Sequence, residues 1–350
     1  MDSMSNKLKK RATITQVAED AGVSKTSVSR FLGKDAMLLS ESMRKRIEDS
    51  VNRLGFHPDR MASSLRGRRT RLIGMVVADI TNPFTVQIMR GIEQSCRLKG
   101  YTLVVCNTDL SLETEAEHLQ VLRSYNVEGL IVHTQGQPSP VLESLVEEGM
   151  PLVLIDRRLE GMDVPCVALD NERAIECGIQ HLIEQGFTDV FYVSEPIGDI
   201  SSRRDRADAF TARMAGLRGQ INGKCEEFDL HQHNDALARA LIEFHASSHK
   251  GCVLCANAPA TLRVTALLEE HGLLTTTGIL AFDEESWSPL IGGGISTLAQ
   301  PTEAMGQEAV KRLCSNISKD CGNQAPPPFE AELFQRRSTL TVSTGAIKTA

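Results

Sequence analysis

Two short stretches carry side chains whose type and spacing could do chemistry. The first is Ser24 to Arg30, SKTSVSR. On a helix with Val28 and Leu32 inward, the outer face is Lys25, Thr26, Ser29 and Arg30. Hydroxyls and a lysine suit phosphate oxygens, and an arginine fork matches the O6/N7 edge of guanine. The segment has no Tyr or Trp, so base stacking on a single strand is a poor alternative. The second stretch is Ser201-Ser202-Arg203-Arg204-Asp205-Arg206. Three arginines in four residues at a helix start would attract an anion, and arginine grips a carboxylate bidentately. A solvated charge run is the plainer account of the same residues.

Catalytic candidates fare worse. No G-x-G-x-x-G opens a helix, and no P-loop or G-x-S-x-G elbow occurs. Gly292-Gly293-Gly294 has no following Lys. His231, His233, His245 and His249 fall within 19 residues, and the last two would sit one turn apart on a helix. Without an H-E-x-x-H carboxylate they read better as surface histidines than as a metal pair. Cys252 and Cys255 form a C-x-x-C inside the apolar run GCVLCAN, where strand geometry points them to opposite faces. An enzyme, a cofactor and a metal are therefore not expected.

The elements that must hold the first stretch are short helices. In TITQVAEDA, Ile14, Val17, Ala18 and Ala21 share one face, and Thr13 with Gln16 has capping-box spacing. Gly22 ends that helix, Ser24 caps the next and Gly33 stops it. A third helix runs from Ser40 to about Leu54 with Met43, Ile47, Val51 and Leu54 inward, ending at Gly55. The first two helices form a helix-turn-helix. Charge agrees with a polyanion partner for this head alone: residues 1–71 carry a net +8 and the remainder −15.

Beyond residue 71 the pattern changes. Strand-like runs at 72–79, 102–108, 129–134 and 151–157 alternate with amphipathic segments near 85–99, 112–125 and 140–149. The series repeats with strands at 190–195, 225–230, 251–257 and 277–284 and helices near 171–185, 203–216, 234–246 and 259–271. Segments 295–301 and 329–339 look like returns between the two units. Continuous apolar strands between helices indicate an α/β fold of doubly wound parallel sheets. Two such units suggest two lobes with a ligand cleft at the carboxyl ends of the strands. Asp79, Asn82, Asp156, Arg157, Ser194, Asn257, Asp283 and Glu284 end strands or open the loops after them, as cleft residues or as loop caps.

The length of 350 residues fits two or three domains, and 41% apolar with 24% charged residues is ordinary for a globular protein. No apolar run approaches the roughly 20 residues of a membrane span. The N-terminal MDSMSNKLKKRATIT has no apolar core, so no secretory signal and no membrane are expected. Nine cysteines, an odd count, read as reduced thiols, and a cytoplasmic location is expected.

The head motif resembles the lac repressor/gal repressor family: Thr13, Val17-Ala18, Ala21-Gly22-Val23-Ser24 and Ser27-Val28-Ser29-Arg30 stand in its pattern. The resemblance implies that Lys25, Thr26 and Arg30 read bases in the major groove of a double-stranded operator, while Ser24, Ser27 and Ser29 hold phosphates. The family commonly has Asn where Gly33 stands. Pro58-Asp59, Ala62 and Leu65 match its hinge-helix motif, in which two hinges pair in the minor groove and the leucine wedges between base steps. Ala62 is the small residue of that close approach.

The core also resembles this family. Arg206 stands where the family's arginine hydrogen-bonds the effector, Asn257 and Asp283 match further family positions, and Ala258 replaces a common Asp. The segment FDEESW ending at Trp287, followed by LIGGGISTLAQPT, resembles the subgroup that senses sugar acids such as 2-ketogluconate or 2-keto-3-deoxygluconate. Ser202, Arg203, Asn82, Phe84, Asp156 and Arg157 complete the expected effector set. The implied protein is a homodimeric repressor released from a palindromic operator by a small sugar acid; a two-lobed sugar receptor or a corepressor-dependent regulator of purine type is the alternative. Expected boundaries are a helix-turn-helix head at 1–58, a hinge helix or linker at 59–70, and a periplasmic-binding-protein-like core at 71–345. Lobe 1 would take about 71–168 and 300–328, and lobe 2 about 169–297 and 329–345. The closing GAIKTA carries no Leu heptad, so a dimer is expected rather than a tetramer.

Overall fold

The computed structural model describes residues 12–56, 69–230, 235–319 and 327–340. The hinge positions Ala62 and Leu65, together with His231, His233 and Cys321, lie outside the described residues. The chain divides after Thr70 into two compact units.

In the first unit, helices α1 (Ile14–Ala21), α2 (Lys25–Phe31) and α3 (Glu41–Leu54) enclose a small apolar centre. The capping box closes as expected: Gln16 N–H donates to Thr13 Oγ1 at 3.3 Å and Thr13 N–H to Gln16 Oε1 at 2.8 Å. Gly22 and Gly55 end their helices at φ 62° and 58°, a conformation glycine adopts without strain. Gly33 acts differently. Helix α2 ends at Phe31 with Leu32 as its cap, and Gly33 is extended, leading into a 3-10 turn at Lys34–Leu38. Val17, Ala18, Ala21, Val28 and Ile47 fill the centre with Leu39 and Phe56. Helix α3 braces α1 through Ser50, whose hydroxyl donates to Val17 O at 3.3 Å, and through Arg53 with Asp20 at 3.1 Å.

The second unit holds two sheets. The first contains β1 (Leu72–Val77), β2 (Thr102–Asn107), β3 (Gly129–Val132), β4 (Leu152–Ile155) and β5 (Cys166–Val167) in the parallel order β2-β1-β3-β4-β5. Helices α4 (Pro83–Leu98), α5 (Leu112–Ser124) and α6 (Pro140–Glu147) link its strands. The second contains β6 (Asp189–Ser194), β7 (Asn222–Glu227), β8 (Gly251–Cys255), β9 (Gly278–Phe282), β10 (Ser296–Ala299) and β11 (Glu332–Phe334) in the order β11-β10-β9-β8-β6-β7, with only β11 antiparallel. Helices α7 (Asn171–Glu184), α8 (Ser201–Gly216), α9 (Asp235–Ser247) and α10 (Ala258–Glu270) flank it, and α11 (Thr302–Ser318) returns to the first sheet.

Period-two alternation splits each strand between two cores. On β1, Ile73, Met75 and Val77 face α4 and α11, while Val76 faces α5 and α6. On β8, Cys252 and Leu254 face α7 and α8, while Val253 and Cys255 face α9 and α10. The C-x-x-C thus sits on opposite faces of one strand. Each buried aliphatic side chain stabilises the sheet by about 1.5–3 kcal/mol. Helix α11 is seated on α4 at Gly91 and Gly306, where an added Cβ would lie 2.8 Å from Glu303 O or Ile88 O. The chain crosses between the lobes near 168–171, 300–302 and 327–331, and a bridge of Leu169 with Phe329 ties two of the crossings.

Two local expectations need correction. The strand expected at 225–230 lies at Asn222–Glu227, because β7 is an exposed edge whose register is set by β6 rather than by apolar pattern. His249 is off the helix, since α9 ends at Ser247, and His245 instead meets Thr277 Oγ1 at 2.9 Å.

Candidate functional site

In the head, Ser24, Lys25, Thr26 and Arg30 are exposed, Ser27 and Ser29 half-buried, and Val28 anchors the helix beneath them. Ser24 Oγ accepts the Ser27 N–H at 3.0 Å and pairs with Ser27 Oγ at 2.9 Å. That pair uses one hydroxyl hydrogen and leaves the other for an outside acceptor. The face is thus a set of donors presented by a seven-residue helix.

In the core, polar groups gather at the carboxyl ends of both sheets, where Ser202 Oγ of lobe 2 donates to Asp156 Oδ2 of lobe 1 at 3.1 Å. Asp156 follows β4 and Asp283 follows β9, both left-handed at φ 64° and 72°. Aspartate tolerates that region better than most residues, and such strain gathers at functional sites.

On the lobe 1 side, Asp156 Oδ2 lies 3.4 Å from His133 Nε2 and 3.6 Å from Arg157 Nε. Burial alone would raise the Asp156 carboxyl; His133, Arg157 and Arg206 outweigh it and hold it well below the usual carboxylate range. Burial brings Arg157 down to about 10, against the pull of Asp156. Its Nη1 donates to Thr134 O at 2.8 Å. Phe84 is buried with its ring centroid 6.0 Å from His133. Asn82 caps α4, accepting Phe84 N–H at 3.0 Å.

On the lobe 2 side, Arg206 is buried. Its Nε donates to Asn171 Oδ1 at 2.7 Å, its Nη1 to Ala256 O at 2.6 Å, and its guanidinium lies 4.1 Å from the Phe282 ring centroid. Asp283 accepts from Gln300 Nε2 at 2.7 Å and from Ala258 N–H at 3.2 Å. Burial raises its carboxyl, with Arg206 opposing. Asn257 caps α10 and donates to Glu195 Oε2 at 2.6 Å. Glu195 also takes Arg203 Nη2 at 2.7 Å.

The three arginines of the second stretch do not form one anion trap. Arg203 pairs with Glu195, Arg204 with Glu160 at 2.7 Å, and Arg206 alone is buried under the site. Helical spacing turns Arg204 away, while 203 and 206 share a face and are drawn to different partners, Glu195 for one and Asn171 with Ala256 for the other. Trp287 is half-buried and packs against the apolar layer under α9 and α10. Among the strand-end candidates, Asp79 forms a local turn with Thr81 N–H at 2.8 Å, and Ser194 Oγ donates to Glu195 O at 2.8 Å. Glu284 is gripped by Arg336 at 2.7 and 2.9 Å.

Sequence reasoning missed His133, Asn171, Glu195 and Gln300. It also missed Gln87, which donates across the lobes to Glu284 O and Glu285 Oε1, each at 3.3 Å. Burial, with Asp283 and Glu284, pushes the Glu285 carboxyl up to about 7. The available signal was topological. His133 and Glu195 follow β3 and β6, strands flanking the points where strand order reverses, and ligands in open sheets bind there.

Residues 13–59 match bacterial regulatory proteins of the lacI family, and residues 70–324 match the periplasmic binding proteins and sugar binding domain of the LacI family. The chain belongs to the LacI family. The HTH-type transcriptional regulator PtxS of Pseudomonas aeruginosa is 45% identical over 334 residues, covering 94% of this chain and 96% of the relative. The HTH-type transcriptional regulator KdgR of Bacillus subtilis is 37% identical over 341 residues, covering 96% and 100%. The lac repressor dimer bound to operator and the anti-inducer ONPF shares the fold, with a TM-score of 0.79 at 21% identity over 95% of this chain and 100% of that one. This LacI-family chain is a DNA-binding transcription regulator with a core of the sugar-binding type, and not an enzyme. Among its described residues, no helix is long and apolar enough to cross a membrane.

Proposed function

We propose that this regulator is a cytoplasmic, homodimeric repressor that leaves a palindromic operator when a sugar acid of the 2-ketogluconate or 2-keto-3-deoxygluconate type enters its cleft. The observation that carries this reading is Arg206: buried, over the Phe282 ring, and held by Asn171 and Ala256. A guanidinium so fixed presents its remaining donors in one direction, as oxygen-rich ligands require. Asp156 and Asp283 supply acceptors for hydroxyl groups. Asn257, Ser202, Arg203, Arg157 and Asn82 border them, and Phe84 and Trp287 offer apolar surface for a sugar ring.

In the head, Arg30 reads a guanine, Lys25 and Thr26 set operator preference, and Ser24, Ser27 and Ser29 hold phosphates. The hinge of residues 59–70 joins the head of 1–58 to the core of 71–345; Leu65 wedges between base steps of the operator, and Ala62 is the small residue that lets the two hinges approach. Lobe 1 comprises about 71–168 and 300–328, and lobe 2 about 169–297 and 329–345. Effector binding closes the lobes and separates the paired hinges, so effector and operator weaken each other by the same factor.

The test is fluorescence anisotropy on promoter fragments at physiological ionic strength, with 2-ketogluconate, 2-keto-3-deoxygluconate, gluconate, glucose and guanine added in turn. Release by a sugar acid is expected. Release by glucose alone, or tighter binding with guanine, overturns the effector assignment.

A further inference from the structure

Three arginines and three carboxylates meet around the cleft. Arg157 faces Asp156 at 3.6 Å, Arg203 faces Glu195 at 2.7 Å, and Arg206 lies within electrostatic reach of Asp283. All six residues are either buried or half-buried. A carboxylate entering such a site adds a negative charge with no counter-charge waiting, and an unpaired charge out of water is costly. Some group nearby must then change its own charge.

His133 is placed to do so. It follows β3 at the first sheet's strand-order reversal and is 2% exposed. Nε2 makes a long contact of 3.4 Å with Asp156 Oδ2, and Nδ1 has no hydrogen-bond partner among the described residues. A buried ring nitrogen without a partner is rare, because each lost hydrogen bond has a real cost. The charged groups facing it are Asp156 and Arg157 from the end of β4 and Arg203 from α8. Phe84 of α4 flanks the ring without charge, and Glu115 of α5 is buried beside Thr134 and Arg157. Burial, with Arg157 and Arg203, holds the imidazole below its ordinary value against the pull of Asp156.

Resting on the sugar-acid reading above, we propose that His133 answers the effector's carboxylate by taking up a proton from solvent as the anion enters. Effector binding is then coupled to protonation. The incoming negative charge makes the imidazolium favourable, both ring nitrogens become donors, and the buried site regains its balance. A neutral hexose supplies no such charge and draws no proton. His133 therefore discriminates acids from neutral sugars, and acidification favours the effector-bound state.

Calorimetric titration of the full-length protein with 2-ketogluconate at pH 7.5, in phosphate and in Tris, reads the proton directly, because the two buffers differ in ionisation heat. Uptake of about one proton per site is expected, with affinity falling as pH rises from 7 to 8. His133→Gln should abolish the buffer dependence and weaken binding at least about tenfold, consistent with loss of one buried charge-assisted bond. His133→Asn serves as the second variant, and a melting curve checks that each variant folds. Equal heats in the two buffers for the wild type overturn the proposal whether or not a variant folds. Full proton uptake retained in His133→Gln also overturns it and moves the proton to Glu115, Asp283 or Glu285, whose carboxyls are raised by burial. Binding with buffer-independent heats sinks this inference alone; no binding heat at all sinks the sugar-acid reading and this inference with it.

Discussion

Helix α2 and the cleft at the sheet ends, the two recognition surfaces proposed above, are built on opposite plans. In the head, Lys25, Thr26 and Arg30 are exposed, and the helix is seated by Val28. In the cleft, Arg206, Asp156 and Asp283 are buried and already bonded to other protein groups. An exposed donor that loses its ligand is simply rehydrated. A buried group that loses its partner is stranded out of water, and the stranding costs more than the bond was worth. The two plans therefore fail differently under substitution: the head should lose binding without losing stability, and the cleft should lose both.

The largest effect is expected at Arg206. Arg206→Ala strands Asn171 Oδ1, Ala256 O and the nearby Asp283 carboxylate. The core should lose about 3–5 kcal/mol, as when one partner of a buried ionic network is removed, and effector binding should vanish. Calorimetric melting measures this. A core transition unmoved by the substitution would break the contrast between the two regions.

Next comes the pH response of the core. Glu285 has its carboxyl raised to about 7, so the folded state holds a proton that the unfolded chain releases near the ordinary glutamate value. Its contribution is fully present below about pH 4.5 and is lost as pH rises through 7. Glu285→Gln should flatten that slope and stabilise the core by roughly 2 kcal/mol at pH 8. Denaturant midpoints at pH 5 and pH 8 decide it, and parallel slopes in both proteins would remove Glu285 from the account. Asp156 works in the other direction. Its depressed carboxyl contributes stability above the unfolded aspartate value, and that contribution disappears as acid protonates it.

Arg30→Ala probes the opposite plan. About 1–3 kcal/mol of discrimination against non-operator DNA should disappear. The melting curve should stay within about 0.5 kcal/mol of wild type and effector affinity should not change. Competition binding against random-sequence DNA reads the first quantity. A loss of stability comparable to that of Arg206→Ala would show that the head, too, is a bonded network.

The same contrast explains what was legible beforehand. The head's working residues lie within a few positions of one another, and their supports are local: Thr13 with Gln16, Ser24 with Ser27, a glycine at each left-handed stop. Spacing alone exposes such pairs. The sheets were legible because buried parallel strands are continuous apolar runs, and the shift of β7 came where that signal is missing, on an exposed edge of NGKCEE. The cleft is held by partners far apart in the chain. Arg206 meets Asn171 and Ala256, Asp156 meets Ser202, and Gln87 meets Glu285. No spacing rule joins residues 46 or 198 positions apart. His133 stands in IVHTQ with no motif around it, so only the sheet order could direct attention there.

The smallest effect sharpens the comparison from inside the head. Helix α1 has eight residues, too few to hold its shape unaided, and its capping box closes the first turn from both sides. Thr13→Ala should cost about 1 kcal/mol, while Thr13→Ser should cost almost nothing, because the hydroxyl rather than the methyl does the capping. Val17, Ala18 and Ala21 share one apolar cluster with Val28, so fraying α1 loosens the seat of α2. Amide exchange across residues 14–21 should therefore quicken in Thr13→Ala while Lys25, Thr26 and Arg30 keep their exposure, and operator affinity should fall by less than the loss of local stability. Unchanged exchange would mean that α1 is held by Ile47 and α3 alone, and that α2 depends on packing to a degree the cap cannot alter.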